Sequence, residues 1–187
     1  MTVLAVVLAA GAGTRFAHAT HKLRAQVNGE AILTRAVMSA QQSDIGDVVV
    51  VTGAETFDDL LSTVPTVHNS AWQTGQRSSV LCAIDEAQRR GCDVVVIAAG
   101  DQPFVSPEDW QTVAADPSPI AVATYDGQRA TPVRLHKSVW DDFRAIQGDP
   151  DAGARSLIHL RPELVSEVAC KGSGADIDTT EDLKRWT

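Results

Sequence analysis

The chain has 187 residues, 44% hydrophobic and 21% charged, a balance that excludes a disordered tract and a membrane-embedded protein and suffices for a buried core. Lysine and arginine number 16 against 24 aspartate and glutamate, a net charge of −8, so the surface as a whole repels polyphosphate and anionic lipid. Neither nucleic acid nor a membrane is expected as a partner, and a phosphate ligand must be met by a few locally placed cations or by metal.

In chain order, Val3–Leu8 is an apolar, β-branched run that reads as a strand covered on both faces. The surrounding MTVLAVVLAA is too short to span a bilayer and follows no basic residue, so it is not expected to act as a secretory signal. A Gly-rich stretch, Leu8 to Phe16, comes next, then a polar segment with His18, His21 and Lys22, which reads as loop. No carboxylate stands at metal spacing from either histidine, and both are read as solvated loop residues. Ile32, Leu33, Ala36, Val37 and Ala40 have helical spacing, and Val48–Val51 is a second strand ending at Thr52-Gly53. The polar stretch Asn69 to Ser79 precedes Val80, Leu81, Ile84 and Ala87, a helix that Gly91 should close. Val94–Ala99 is a third buried strand, and Ser106-Pro107-Glu108-Asp109 opens a helix running to about Ala115.

Beyond it, Ile120–Tyr125 and Thr131–Leu135 flank Asp126-Gly127 as a hairpin, read as a β-rich insertion or edge. Helical stretches follow, then a strand at Val165–Cys170 and a terminal helix carrying Leu183 and Trp186 behind a cap at Thr179 or Thr180. Strand and helix alternate over the first two thirds, which predicts an α/β fold with a mostly parallel sheet flanked by helices. With no repeat or linker, residues 1–187 read as one domain, with ligands gathered beyond the strand C-termini. Cys82, Cys92 and Cys170 are odd in number and form no CxxC pair, which argues against disulfides and zinc and fits a reducing, cytoplasmic setting. Trp72, Trp110, Trp140 and Trp186 are open between core and interface.

Several segments carry possible chemistry. In Leu8-Ala9-Ala10-Gly11-Ala12-Gly13-Thr14-Arg15 the backbone N–H groups can converge on an anion while Arg15 adds a fixed charge; an ordinary βα turn is the plain alternative. A dinucleotide-binding GxGxxG fails because Phe16 takes the place of its third glycine, and GxxxxGK[ST] is absent. Lys22 lies close enough to join Arg15 on one triphosphate. Asp101, at the end of the third strand, suits Mg²⁺, which takes one or two carboxylates plus phosphate oxygens, or else a simple Asx turn. Asp178, or Asp176, offers a second ligand, against the reading that Asp178 or Thr179 merely caps a helix. Asn69, Gly75, Ser78 and Ser79 suit recognition of a base or ribose, against helix capping by either serine.

Together these segments resemble the MobA-like nucleotidyltransferases, and within them the molybdenum cofactor cytidylyltransferases. LAAG with its following Arg and Lys is similar to the family's LAAGxSxRMGxxK, VTGAE to its second-strand loop, and NSAWQTGQRSSV to N-P-x-W-x-x-G-x-x-x-S-L. GDQPFVS, ATPVRL, DAGAR and DIDTTEDL follow in the family's order. Ala17 and Ala130 stand where the family has glycine, the Arg15–Lys22 spacing is about two residues longer, GDPDAGAR carries an apparent two-residue insertion, and Thr180 replaces a proline.

The resemblance implies a three-layer Rossmann-like fold with a small β-rich acceptor-side portion, and transfer of CMP from CTP to molybdopterin with release of pyrophosphate. Arg15, Lys22 and Asp101 would be catalytic and Asp101 with Asp178 would hold Mg²⁺. The nucleotide would lie on Leu8–Thr14, Thr52, Gly53, Asn69, Gly75, Ser78 and Ser79. Gln102, Pro132, Asp151, Gly153 and Arg155 would face the acceptor. Ala10, in place of the glycine of the guanylyl branch, points to CTP over GTP. A molybdenum hydroxylase would receive the product. The alternatives are a guanylyltransferase, a sugar-phosphate nucleotidyltransferase, and a nucleotide-binding accessory of molybdoenzyme assembly.

Overall fold

The computed structural model describes residues 1–16 and 20–186, so Ala17 and His18 lie outside the described residues. After β1 (Val3–Ala9) come a short ribbon of β2 (Gln26–Val27) and β3 (Glu30–Ala31), then α1 (Ile32–Gln42), β4 (Asp47–Thr52), β5 (Thr66–His68) and α2 (Gln76–Arg89). The second half holds β6 (Val94–Ala99), α3 (Pro107–Ala115), β7 (Ile120–Tyr125), β8 (Gln128–His136), α4 (Trp140–Ala145), α5 (Arg155–Leu160), β9 (Val165–Ala169) and α6 (Thr180–Lys184).

Seven strands form one sheet in the order β5-β4-β1-β6-β8-β7-β9. β1 pairs in parallel with β4 and β6, β4 with β5, and β7 with β9, while β8 runs against both its neighbours. The alternation of side chains along β1 explains why its whole run is apolar. Ala5, Val7 and Ala9 meet Leu33 and Ala36 of α1 and Trp110 of α3 on one face. Leu4 and Val6 meet Val80 and Ile84 of α2 with Trp140 and Phe143 of α4 on the other.

Local signals set the ends of these elements. Ser106 and Asp109 close a capping box with Pro107 in the first turn of α3. At the far end of α2, Gly91 with φ 70° donates to the Gln88 carbonyl and Cys92 to that of Ala87, a Schellman pattern. Thr179 caps α6 in a second capping box with Asp182.

Three expectations need correction. The hairpin is neither insertion nor edge: β8 pairs with β6 inside the main sheet, because its apolar run, Val133 and Leu135, is long enough to be covered on a buried face. Trp186 lies past the last residue of α6 and packs on Phe104 with ring centroids 4.0 Å apart. Neither Ser78 nor Ser79 caps α2, which starts at Gln76 behind Gly75; with φ 114°, Gly75 turns the chain in a conformation that L side chains disfavour. Trp110 and Trp140 are core, and the three cysteines are free. Among the described residues no helix is long and apolar enough to cross a membrane.

From β1 the chain moves outward to β4 and β5, then returns across to β6 on the other side of β1. The loops after β1 and β6 therefore diverge above the sheet and leave a crevice at the switch point, where open α/β sheets bind ligands.

Candidate active site

Asp101 follows β6 at this crevice, and Lys22 reaches it from a 3₁₀ turn, Lys22–Arg24. The Lys22 ammonium donates to Asp101 Oδ2 at 2.6 Å and to Asp178 Oδ1 at 2.8 Å. Its side chain is only 13% exposed, and 21% and 19% of the two aspartates. Burial alone would lower the Lys22 pKa, but the two carboxylates outweigh it and hold the ammonium above its ordinary value. On the outer side Arg15 Nη1 lies 2.9 Å from Asp178 Oδ2, with its own side chain 75% exposed and free to turn towards a ligand. Asp176 is pushed above the usual aspartate range, first by partial desolvation and then by Asp178 and Asp101, although it keeps contact with water.

Asp178 is brought to Asp101 by an extended strap between β9 and α6, hung on long-range hydrogen bonds. The N–H groups of Lys171 and Gly172 donate to Asp109 Oδ1, that of Ser173 to the Phe104 carbonyl, and that of Ile177 to the Asp101 carbonyl at 3.0 Å. Gln102 Nε2 donates to the Gly174 carbonyl, and the Thr131 hydroxyl donates to Gln102 Oε1. A Cβ on Gly172 would stand 2.2 Å from Asp109 Oδ2, and one on Gly174 2.6 Å from the Tyr125 ring, so both glycines serve close approach. In the sequence Asp109 reads only as a first-turn acid; buried to 2% exposure, it also clamps the strap.

The Gly-rich loop leaves β1 at Ala10, whose carbonyl accepts from Ala54 N–H at 3.0 Å. A Cβ on Gly53 would meet that same carbonyl at 2.6 Å, so Gly53 lets the loop after β4 lie against Ala10. Gly11 and Thr14 are exposed and Ala12 and Gly13 half-buried, which leaves this part of the loop accessible from the crevice; Leu8 and Ala9 still belong to β1. His21 is not a solvated loop residue: its Nε2 lies 2.9 Å from the Gly11 carbonyl, and its Nδ1 accepts from Leu23 N–H at 3.2 Å. The correction has a local cause, since His21 is the N-cap of the Lys22 turn and its ring packs edge-on against buried Phe57.

The remaining candidates divide. Asn69 is buried, its amide donates to Ser78 Oγ at 2.8 Å and Ser79 Oγ at 3.1 Å, and its Oδ1 accepts from Ala71 N–H. Thr52 is buried and its carbonyl accepts from Asn69 N–H, so this group braces the start of α2. Asp151 and Gly153 pack on that same start, within reach of a Cβ placed on Gly75 for Asp151, or with Gln76 against Gly153. Arg155 is exposed one turn further on, while Pro132 is buried beside Thr131 on the Asp101 side. The five residues expected on the acceptor side thus fall into two groups at the rim.

A carboxylate pair, a buried lysine and a Gly-rich loop meet at the switch point, and the family model described as MobA-like NTP transferase domain matches residues 5–168. The chain belongs to the MobA-like NTP transferase family. As a MobA-like protein it is a nucleotide-binding enzyme of the nucleotidyltransferase class. It is 28% identical to the purine catabolism protein PucB of Bacillus subtilis, a match covering 96% of this chain and 93% of PucB. It is 33% identical to the bifunctional protein GlmU of Allorhizobium ampelinum over 70% of this chain but only 30% of GlmU, so it spans less than a third of that relative. The solved complex of Rv0371c from Mycobacterium tuberculosis with manganese shares the MobA-like fold, with TM-score 0.77 and 22% identity over 100% of this chain and 98% of that one.

Proposed function

We propose that the chain transfers CMP from CTP to the phosphate of a molybdopterin-type acceptor and releases pyrophosphate. The observation that carries nucleotidyl transfer is the convergence of Lys22 on Asp101 and Asp178 beside the Gly-rich loop. That arrangement suits a divalent cation: two carboxylates already face one positive charge, and Mg²⁺ completes its shell with phosphate oxygens and water. Rv0371c, solved with manganese, supports a divalent metal here. Asp101 and Asp178 would hold Mg²⁺, which would neutralise phosphate charge.

The chain's own residues supply positioning and charge. Backbone N–H groups of Ala10–Thr14 hold the β- and γ-phosphates, and Arg15 and Lys22 offset the charge that builds on the departing pyrophosphate. An oxygen of the acceptor phosphate forms the new bond to the α-phosphorus as the bond from that phosphorus to the pyrophosphate oxygen breaks. A phosphate monoester with second pKa about 6 is already anionic at neutral pH, so no strong general base is required. Asn69, Thr52, Ser78 and Ser79 brace the nucleotide side, and Gln102 holds the strap beside the reacting centre. CTP and molybdopterin are supported by LAAG and by the ordered segments from GDQPFVS to DIDTTEDL.

Pyrophosphate release with each NTP, with and without molybdopterin, tests the reading. We expect release with CTP and molybdopterin together; release with GTP, or with a sugar phosphate in place of molybdopterin, would contradict it. Ala130 and the insertion around 148–155 favour the second reading, another phosphorylated acceptor.

A further inference from the structure

We infer that His21 is a positioning residue that sets the Gly-rich loop in register with Lys22 for the triphosphate. The inference rests on the proposed reading only in assigning that loop to the phosphates.

The ring nitrogens of His21 bind opposite ends of one device. Nδ1 accepts from the backbone N–H of Leu23, so the proton sits on Nε2, which donates to the Gly11 carbonyl. The first contact caps the turn that carries Lys22, and the second holds the loop at its exposed crest. Phe57, fully buried, stops the ring from turning away: the centroids are 5.1 Å apart at 72°. Gly13 closes the other side, where a Cβ would stand 3.2 Å from His21 Nε2 and 3.1 Å from Lys22 Cγ. Arg15 and Lys22 share Asp178 at the far end of the loop, and His21 ties its near end to the Lys22 turn through a side chain.

Two substitutions separate the contacts. His21→Asn keeps a capping oxygen at the Nδ1 position but does not reach Gly11, whereas His21→Gln carries an amide N–H to the Nε2 position. The readouts are backbone hydrogen exchange of residues 10–16 without ligand and calorimetric affinity for the Mg²⁺ complexes of CTP, GTP, ATP and UTP. For His21→Asn we expect faster exchange in the loop and affinity for the preferred nucleotide weaker by about tenfold, the size of one lost hydrogen bond, with little change in melting temperature. His21→Gln, which keeps the Gly11 contact and gives up only the cap on Leu23, should recover most of both, which a merely space-filling histidine would not do. Should the Asn variant not fold, His21→Ser keeps a capping hydroxyl and gives the same readout. Unchanged exchange and affinity in the Asn variant, or a Gln variant as impaired as Asn, would overturn the inference and leave the proposed function standing. A wild-type protein that binds none of the four nucleotides would overturn both.

Discussion

Lys22 is the residue on which most of the site's electrostatics turn. Because Asp101 and Asp178 hold its pKa above the ordinary lysine value, its contribution to stability is complete at neutral and mildly alkaline pH and is lost only as pH rises through that raised value. The two aspartates should accordingly tolerate loss of charge badly: Asp101→Asn is expected to lower turnover by about 10²–10³ in a steady-state assay while the protein still melts cooperatively. Asp176 should behave in the opposite sense. Its carboxylate is disfavoured where it stands, so Asp176→Asn leaves the melting temperature unchanged or raises it, and turnover stays within a few-fold of wild type; a loss as deep as that of Asp178→Asn would make Asp176 the metal ligand instead. At this scale residue type was readable from sequence, since Arg15, Lys22, Asp101 and Asp178 meet as the motifs suggest. Partnership was not, because a histidine at loop spacing carries no signal that its ring will bridge Gly11 and Leu23.

Elements with local causes were the legible ones. Ser106 and Thr179 start their helices where capping chemistry demands, and the buried strands follow their apolar runs. The strap from Lys171 to Asp178 has no such period or cap, and its path depends on Asp109, Phe104 and Gln102, far away in sequence. Gly172→Ala tests that dependence: with a Cβ 2.2 Å from Asp109 Oδ2 the strap must shift, and we expect a lowered melting temperature together with lost turnover. Within α2, Glu86 is bound by Arg89 and Arg90, which hold its carboxyl down to about 2. Its folded pKa lies below the unfolded value of 4.5, so the stabilisation is present above pH 4.5 and disappears as pH falls towards 2. Thermal unfolding of Glu86→Gln should show a deficit of a few degrees at pH 7 that shrinks to nothing over that interval.

Across the whole molecule, the order β5-β4-β1-β6 sends the loops after β1 and β6 apart, and everything proposed for catalysis gathers where they part. That placement was legible from the alternation of strand and helix, whereas the insertion of β8 beside β6 was not, because a hairpin signal says nothing about which edge receives it. The net charge of −8 repels a nucleotide, and at the site Asp101 and Asp178 already balance Arg15 and Lys22, so nucleotide binding must rest on backbone N–H groups, on rearranged ion pairs and on metal. Thermal unfolding of wild type and Asp101→Asn with each of CTP, GTP, ATP and UTP, with and without Mg²⁺, tests this most directly, since ligand at 100 times its Kd adds about 2.7 kcal/mol. A Mg²⁺-dependent rise confined to CTP and absent from Asp101→Asn is the predicted result. A rise that ignores Mg²⁺ and survives in Asp101→Asn, or none with any nucleotide, would contradict the account.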